Sequence, residues 1–327
     1  MTMAAAKIDE SGFEHVSVMR DEVLDALSPR AGGVYLDVTV GGAGHACALL
    51  ERESGARLIA FDRDPVAARV ATARLSRFGA RATVVHGCFS DVESWLERAG
   101  IEAVDGVVAD LGVSSPQLDD AGRGMSFRHE GPLDMRMDTT RGETAIEMIE
   151  RLDQDELADA IYQLGEEHRS RRVARCIKQA LEADELHTTL DLRRAVVRAT
   201  GPRRVGGVDP ATRTFQALRI LVNHELEQLE TLLDALPRIV RPGGTAVLIS
   251  FHSLEDRLVK RTFRDRNIWE RQTKKPVTAR EEELATNPRS RSAKLRAARR
   301  IAGGPTELGE PAPDSDRDDF SFGGDGP

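Results

Sequence analysis

From residue 34 to residue 110, short apolar runs alternate with helical segments, and this alternation leaves little choice of fold. The runs 34–40, 57–61, 82–86 and 105–110 have the length and apolar character of buried strands. Segments 44–51, 65–78 and 91–99 read as helices, the second with Pro65 in its first turn. Strands alternating with helices in this way form a parallel sheet covered on both faces. One further strand comes late, where Arg241-Pro242-Gly243-Gly244 turns into TAVLISF at 245–251. A single crossover needs about 30 residues. The far longer gap between the fourth and fifth strands therefore contains an insertion of roughly 100 residues.

The insertion reads as helical. Segments 153–164 and 166–183 carry i, i+3, i+4 apolar spacing, and Thr188 with Asp191 forms a capping box for a helix that stops at Gly201-Pro202. Phe215, Leu218, Val222, Leu226, Leu229, Leu233 and Leu236 mark one face of a single long helix packed on the sheet. The expected divisions are a first sheet segment, 1–114, the helical insertion, 115–212, a second sheet segment, 213–301, and a disordered acidic tail, 302–327. The tail holds seven acids and one base, so the body carries only −2 of the net charge of −8. No run of 18 apolar residues suggests a membrane helix, and the N-terminus has no apolar core of a secretory signal. Cys47, Cys88 and Cys176 are odd in number and far apart, which fits neither a disulfide framework nor a zinc site. A cytoplasmic protein with no metal and no membrane partner is expected.

The first strand runs into Asp37-Val38-Thr39-Val40-Gly41-Gly42-Ala43-Gly44-His45. Glycines there allow a sharp turn and close approach to a ligand ahead of a helix. Asp62 closes the second strand 18 residues beyond Gly44, where an acid holds a ribose diol. The lesser alternative is that it caps the next helix. Asp37, inside the end of the first strand, suits a cationic amino-acid moiety better than a pyrophosphate.

These segments resemble a bacterial family that methylates N4 of a cytidine in the decoding region of small-subunit ribosomal RNA. The resemblance rests on HVSVMRDEVL at 15, DVTVGGAGH at 37, FDRDP at 61, HGCFSD at 86, DLGVSSPQLDDAGRGMSF at 110 and GPLDMRMD at 131. It continues through VDPATRTFQALRI at 208, ISFHSLEDRLVK at 249 and NPRSRSAKLR at 287. It implies an α/β fold, a Rossmann-like methyltransferase with a mostly parallel sheet and an inserted α-helical domain. It also implies S-adenosylmethionine as cofactor, and Ala43, Gly44, His45, Asp62, Phe89, Asp110 and Gln117 as its contacts. Ala43 stands where the family usually has glycine, and Cys88 where proline is common.

The exocyclic amine of cytosine is a poor nucleophile, so the chemistry calls for alignment and for an acceptor on its N–H groups. Asp110, at the end of the fourth strand, is the catalytic candidate as well as a cofactor contact. His252, at the end of the late strand, is a second candidate, for the released proton. The polar loop 131–138 suggests a lid or a substrate-positioning loop. Basic runs at Arg169–Arg175, at Arg193–Arg204, at Arg257–Lys275 with Phe263 and Trp269 interleaved, and at Arg289–Arg300 suggest phosphate binding. The partner implied is small-subunit ribosomal RNA or the assembled subunit, with the oligomeric state open. Competing readings are an amino-methyltransferase for DNA or another RNA, a non-catalytic RNA-binding assembly factor and, more distantly, a NAD-dependent oxidoreductase.

Overall fold

The structure, a computed structural model, describes residues 17–202 and 208–302. His15, Arg203, Arg204 and the acidic tail from residue 303 lie outside the described residues.

Among the described residues, seven strands form one sheet: β1 (Val34–Asp37), β2 (Arg57–Asp62), β3 (Ala82–His86), β4 (Val104–Asp110), β5 (Val240–Ser250), β6 (Trp269–Arg271) and β7 (Lys294–Arg300). Their order is β3-β2-β1-β4-β5-β7-β6. The first five run parallel, as the alternating pattern requires, and β7 lies antiparallel to β5 and β6. The chain leaves β1 toward β2 and returns to β4 on its other side, so a crevice opens at the carboxyl ends of β1 and β4.

Successive residues of each strand serve opposite faces. Tyr35, Leu58, Val108 and Val247 pack on α1 (Arg20–Leu27), α2 (Gly44–Arg52) and α3 (Pro65–Leu75). Leu36, Ile59, Val107 and Leu248 pack on the other face, against α4 (Val92–Arg98) and helices that follow the insertion. The short α5 (Ser115–Asp119) follows β4.

The insertion comprises α6 (Ala145–Arg151), α7 (Gln154–Gly165), α8 (Ser170–Glu182) and α9 (Thr189–Thr200). Reciprocal capping boxes start α6 at Thr144, α7 at Asp153 and, as expected, α9 at Thr188, while Gly201 ends α9 with φ +84°. The long helix read from the sequence is in fact two, α10 (Thr212–Asn223) and α11 (Glu225–Ile239), broken at His224 with φ +51° and ψ +40°. Phe215, Leu218 and Val222 of α10 join the core of the insertion, while Leu229, Leu233 and Leu236 of α11 cover the sheet. Helix α10, expected in the second sheet segment, thus packs with the insertion. The apolar spacing continues across the break, which is why the break does not show in the pattern.

Two strands were missed. Strand β7 lies within the basic run Arg289–Arg300, with Leu295, Ala297 and Ala298 buried. Arg296, expected to meet phosphate, is buried too, its guanidinium 2.7 and 3.1 Å from the Asp256 carboxylate on α12 (Ser253–Thr262). Phe263 and Trp269 are also buried, against each other in the sheet core, and offer no face for base stacking. The loop 131–138 is not an exposed lid. Leu133, Met135 and Met137 belong to the helical core, and Met135 sits at φ +62°. A last short helix, α13 (Glu281–Thr286), leads to a 3-10 turn, Pro288–Ser292, and then to β7.

Candidate active site

A cavity opens at the carboxyl ends of β1, β2 and β4, lined among others by Thr39, Gly41, Asp62, Asp110, Gln117 and Glu255. Its floor is the turn after β1. Gly41 takes φ +48° there and donates its N–H to Asp62 Oδ2 at 2.8 Å. Ala43 also lies in the left-handed region, with φ +61° and ψ +27°, directly before α2. That conformation costs a residue with a Cβ about 1–2 kcal/mol, a strain that glycine would not bear. Ala43 and Gly44 shape the turn without lining the cavity, whereas His45 lines it and bonds Val18 O through Nε2 at 2.9 Å.

Asp62 also accepts from the Asp64 N–H at 2.8 Å. The cap of α3 is Asp64, which accepts from Val66 N–H at 2.9 Å, so Asp62 does not serve as the cap. Burial raises the Asp62 carboxyl to about 6, against the two N–H bonds that favour its charge. Asp37 is buried beside the cavity and does not line it, and burial pushes its carboxyl up to about 7. Gln117 donates to Asp64 Oδ2 at 2.8 Å and accepts from Ser114 N–H at 2.9 Å. Arg123, 2.9 Å from Asp64, ties the segment after α5 to the same carboxylate. Phe89 lines the cavity beside Gln228.

Asp110 ends β4, its backbone N–H donating to Thr39 Oγ1 at 2.6 Å. Its Oδ1 is buried with no hydrogen-bond partner among the described residues. Burial first, then the charges of Asp37, Glu255 and Glu283, hold this carboxyl well above the usual range. A buried acceptor without a donor is costly and marks a place where a ligand completes the bonding.

His252 does not line the cavity. It caps α12, with Nε2 3.2 Å from Glu255 Oε1, and Glu255 faces the cavity in its place. Burial raises the Glu255 carboxyl, but His252 and the Phe251 N–H outweigh it and hold the group below its ordinary value. Glu225, the first residue of α11, also lines the cavity, paired with Arg219 at 2.8 and 2.9 Å. Both glutamates escaped the sequence reading. His252-Ser-Leu-Glu255 carries a legible capping spacing, but Glu225 depends on the helix break and had no local signal. Glu225, His252 and Glu255 lie close enough together to suit a cation, although Arg219 already occupies the first of them.

These residues fit S-adenosylmethionine. Asp62 brings to the cavity a carboxylate, an acceptor that suits a diol, and the buried acids suit a sulfonium and an ammonium, cations that also relieve the uncompensated Asp110. The wider comparisons agree. A ribosomal RNA small subunit methyltransferase H of Sorangium cellulosum is 65% identical over 292 residues, covering 89% of this chain and 92% of its own length. Proteins of the same name are 49% identical in Pelobacter propionicus, over 89% of this chain and 100% of their own, and 47% identical in Nostoc punctiforme, over 90% and 96%. Residues 12–301 match the MraW methylase family, and with the sheet, the glycine turn and the acid-lined cavity in place, this chain belongs to that family of S-adenosylmethionine-dependent methyltransferases.

Proposed function

We propose that the chain methylates N4 of a cytidine in the decoding region of small-subunit ribosomal RNA. The names of its relatives support ribosomal RNA of the small subunit as substrate. The observation that carries an amine as acceptor is the unpartnered Oδ1 of Asp110 at the carboxyl end of β4.

When bound, the cofactor supplies a methyl group on a sulfonium, already electrophilic. Asp62 would hold its ribose, Gly41, His45, Phe89 and Gln117 would line the rest of its site, and Ala43 and Gly44 would act only by shaping the turn. Asp110 accepts an N–H of the cytosine amine through Oδ1, which fixes the direction of the nitrogen lone pair and stabilises the positive charge that develops there. A cation in the cavity favours its ionised form. Burial keeps its proton affinity high, so Asp110 is also suited to take the proton that leaves. His252 acts as a positioning residue through Glu255.

Incubation with labelled adenosylmethionine and small subunits lacking the modification tests the reading. Label should appear as N4-methylcytidine at one site in the decoding region. A 5-methylcytidine product, or label on another RNA or on DNA alone, would overturn it.

A further inference from the structure

A polyanion must bring one nucleotide to a cavity lined by Asp62, Asp110, Glu225 and Glu255. Two arginines line the same cavity among the described residues, Arg63 and Arg289. Arg63 is committed inward, donating to Asn223 O at 2.8 Å and Gln228 Oε1 at 3.1 Å. Arg289 stands on the 3-10 turn before β7, and its Nη2 lies 2.6 Å from Asp119 Oδ1 at the end of α5. Asp119 does not line the cavity, and its side chain is 62% exposed against 28% for Arg289.

An exposed carboxylate holds an arginine weakly, because water screens the pair and solvates the acid when it is released. A phosphodiester offers the same guanidinium two oxygens in a matching fork. We propose that Arg289 is the phosphate-anchoring residue for nucleotide entry: it exchanges Asp119 for the phosphodiester beside the incoming cytidine, and Asp119 holds it until then. The assignment rests on the RNA reading above. The exchange makes and breaks ion pairs only, so the charge of the arginine is balanced before and after.

The test combines methyl transfer to small subunits at saturating cofactor with equilibrium RNA binding at several salt concentrations. Arg289→Ala should raise the KM for the subunit about tenfold or more, with kcat and cofactor affinity unchanged. It should also reduce the slope of log K against log salt by about 0.7–0.9. Arg289→Lys should recover part of the loss. Asp119→Ala should do the opposite, lowering KM by about two- to fivefold, and should have no effect when Arg289 is already alanine. A rise in KM for Asp119→Ala equal to that of Arg289→Ala would make the pair a structural tie and overturn the exchange. So would an unchanged KM and salt slope in Arg289→Ala. If the wild-type protein leaves the subunit unmethylated, the function proposed above fails, while the salt slopes of the two variants still decide the role of Arg289.

Discussion

The buried carboxyl of Asp110 leaves one oxygen without a donor, and the free protein bears that cost at a position where β4 could have ended in an apolar residue. Asp110→Asn keeps the shape and one acceptor but removes the charge. At saturating cofactor its kcat should stay about 100-fold or more below wild type, a deficit of about 2.7 kcal/mol. Recovery of most of the rate by added cofactor would confine Asp110 to cofactor binding. Asp62→Ala should weaken adenosylmethionine by roughly 10- to 150-fold in calorimetry while the fold persists. Asp37 shows the pH side of the same burial. Its carboxyl rises to about 7 in the folded chain, so ionising it opposes folding: its contribution is fully favourable below about pH 4 and is lost as pH climbs to about 7. Asp37→Asn should therefore stabilise the unliganded protein by a few kcal/mol at pH 8, of the order of the shift itself, and leave it unchanged at pH 3.5. Equal midpoints for the two proteins at pH 8 in denaturant titrations would contradict this.

Among the elements, β7 departs furthest from its apparent character. Lys294-Leu-Arg-Ala-Ala-Arg-Arg300 reads as a solvated basic run because four of its seven residues are cationic. In the sheet Leu295 to Ala298 are all buried, Leu295 and Ala297 in one core and Ala298 in the other, and Arg296 is neutralised by Asp256 of α12, with Lys294 3.8 Å from the same carboxylate. Arg296→Ala should therefore lower stability by about 1–3 kcal/mol, since it leaves Asp256 with only the longer contact to Lys294. It should leave the salt dependence of RNA binding unchanged, in contrast to Arg289→Ala. A reduced slope without lost stability would return Arg296 to the RNA surface. The glycine turn, by contrast, was legible as a turn, because φ above zero at Gly41 is a local demand, but its expected contacts Ala43 and Gly44 do not line the cavity, and the Gly41 N–H bond to Asp62 had no sign in the sequence.

Across the whole molecule, the sheet and the helical insertion meet at the α10–α11 break. Asn223 is buried there. It donates to Met135 O at 2.8 Å and accepts from Met137 N–H at 2.7 Å, pinning the loop 131–138 to the junction. Met137 in turn lines the cavity. Asn223→Ala leaves a backbone donor and acceptor unsatisfied in the interior, and should cost about 2–4 kcal/mol in denaturant titrations. It should also raise the KM for the RNA substrate more than the Kd for the cofactor, whose proposed ribose contact, Asp62, ends β2. Equal losses in both would mean that the junction supports the whole cavity.

The sequence by itself determined what local pattern can carry. Runs of apolar residues with alternating periods specified five parallel strands in order, the glycine turn after the first, and acids at the ends of the second and fourth. Those acids lie in the crevice because parallel strands all end on one edge. Tertiary structure decided the rest. The break at His224 turns one apolar stripe toward two different cores. Burial with Asp256 makes a strand of a basic run. Glu225, Glu255 and Arg289 meet at one cavity from three separate helices and turns, and Asp119, more than 100 residues before them, pairs with Arg289. Such meetings depend on which surfaces bury which, and no period along the chain records them.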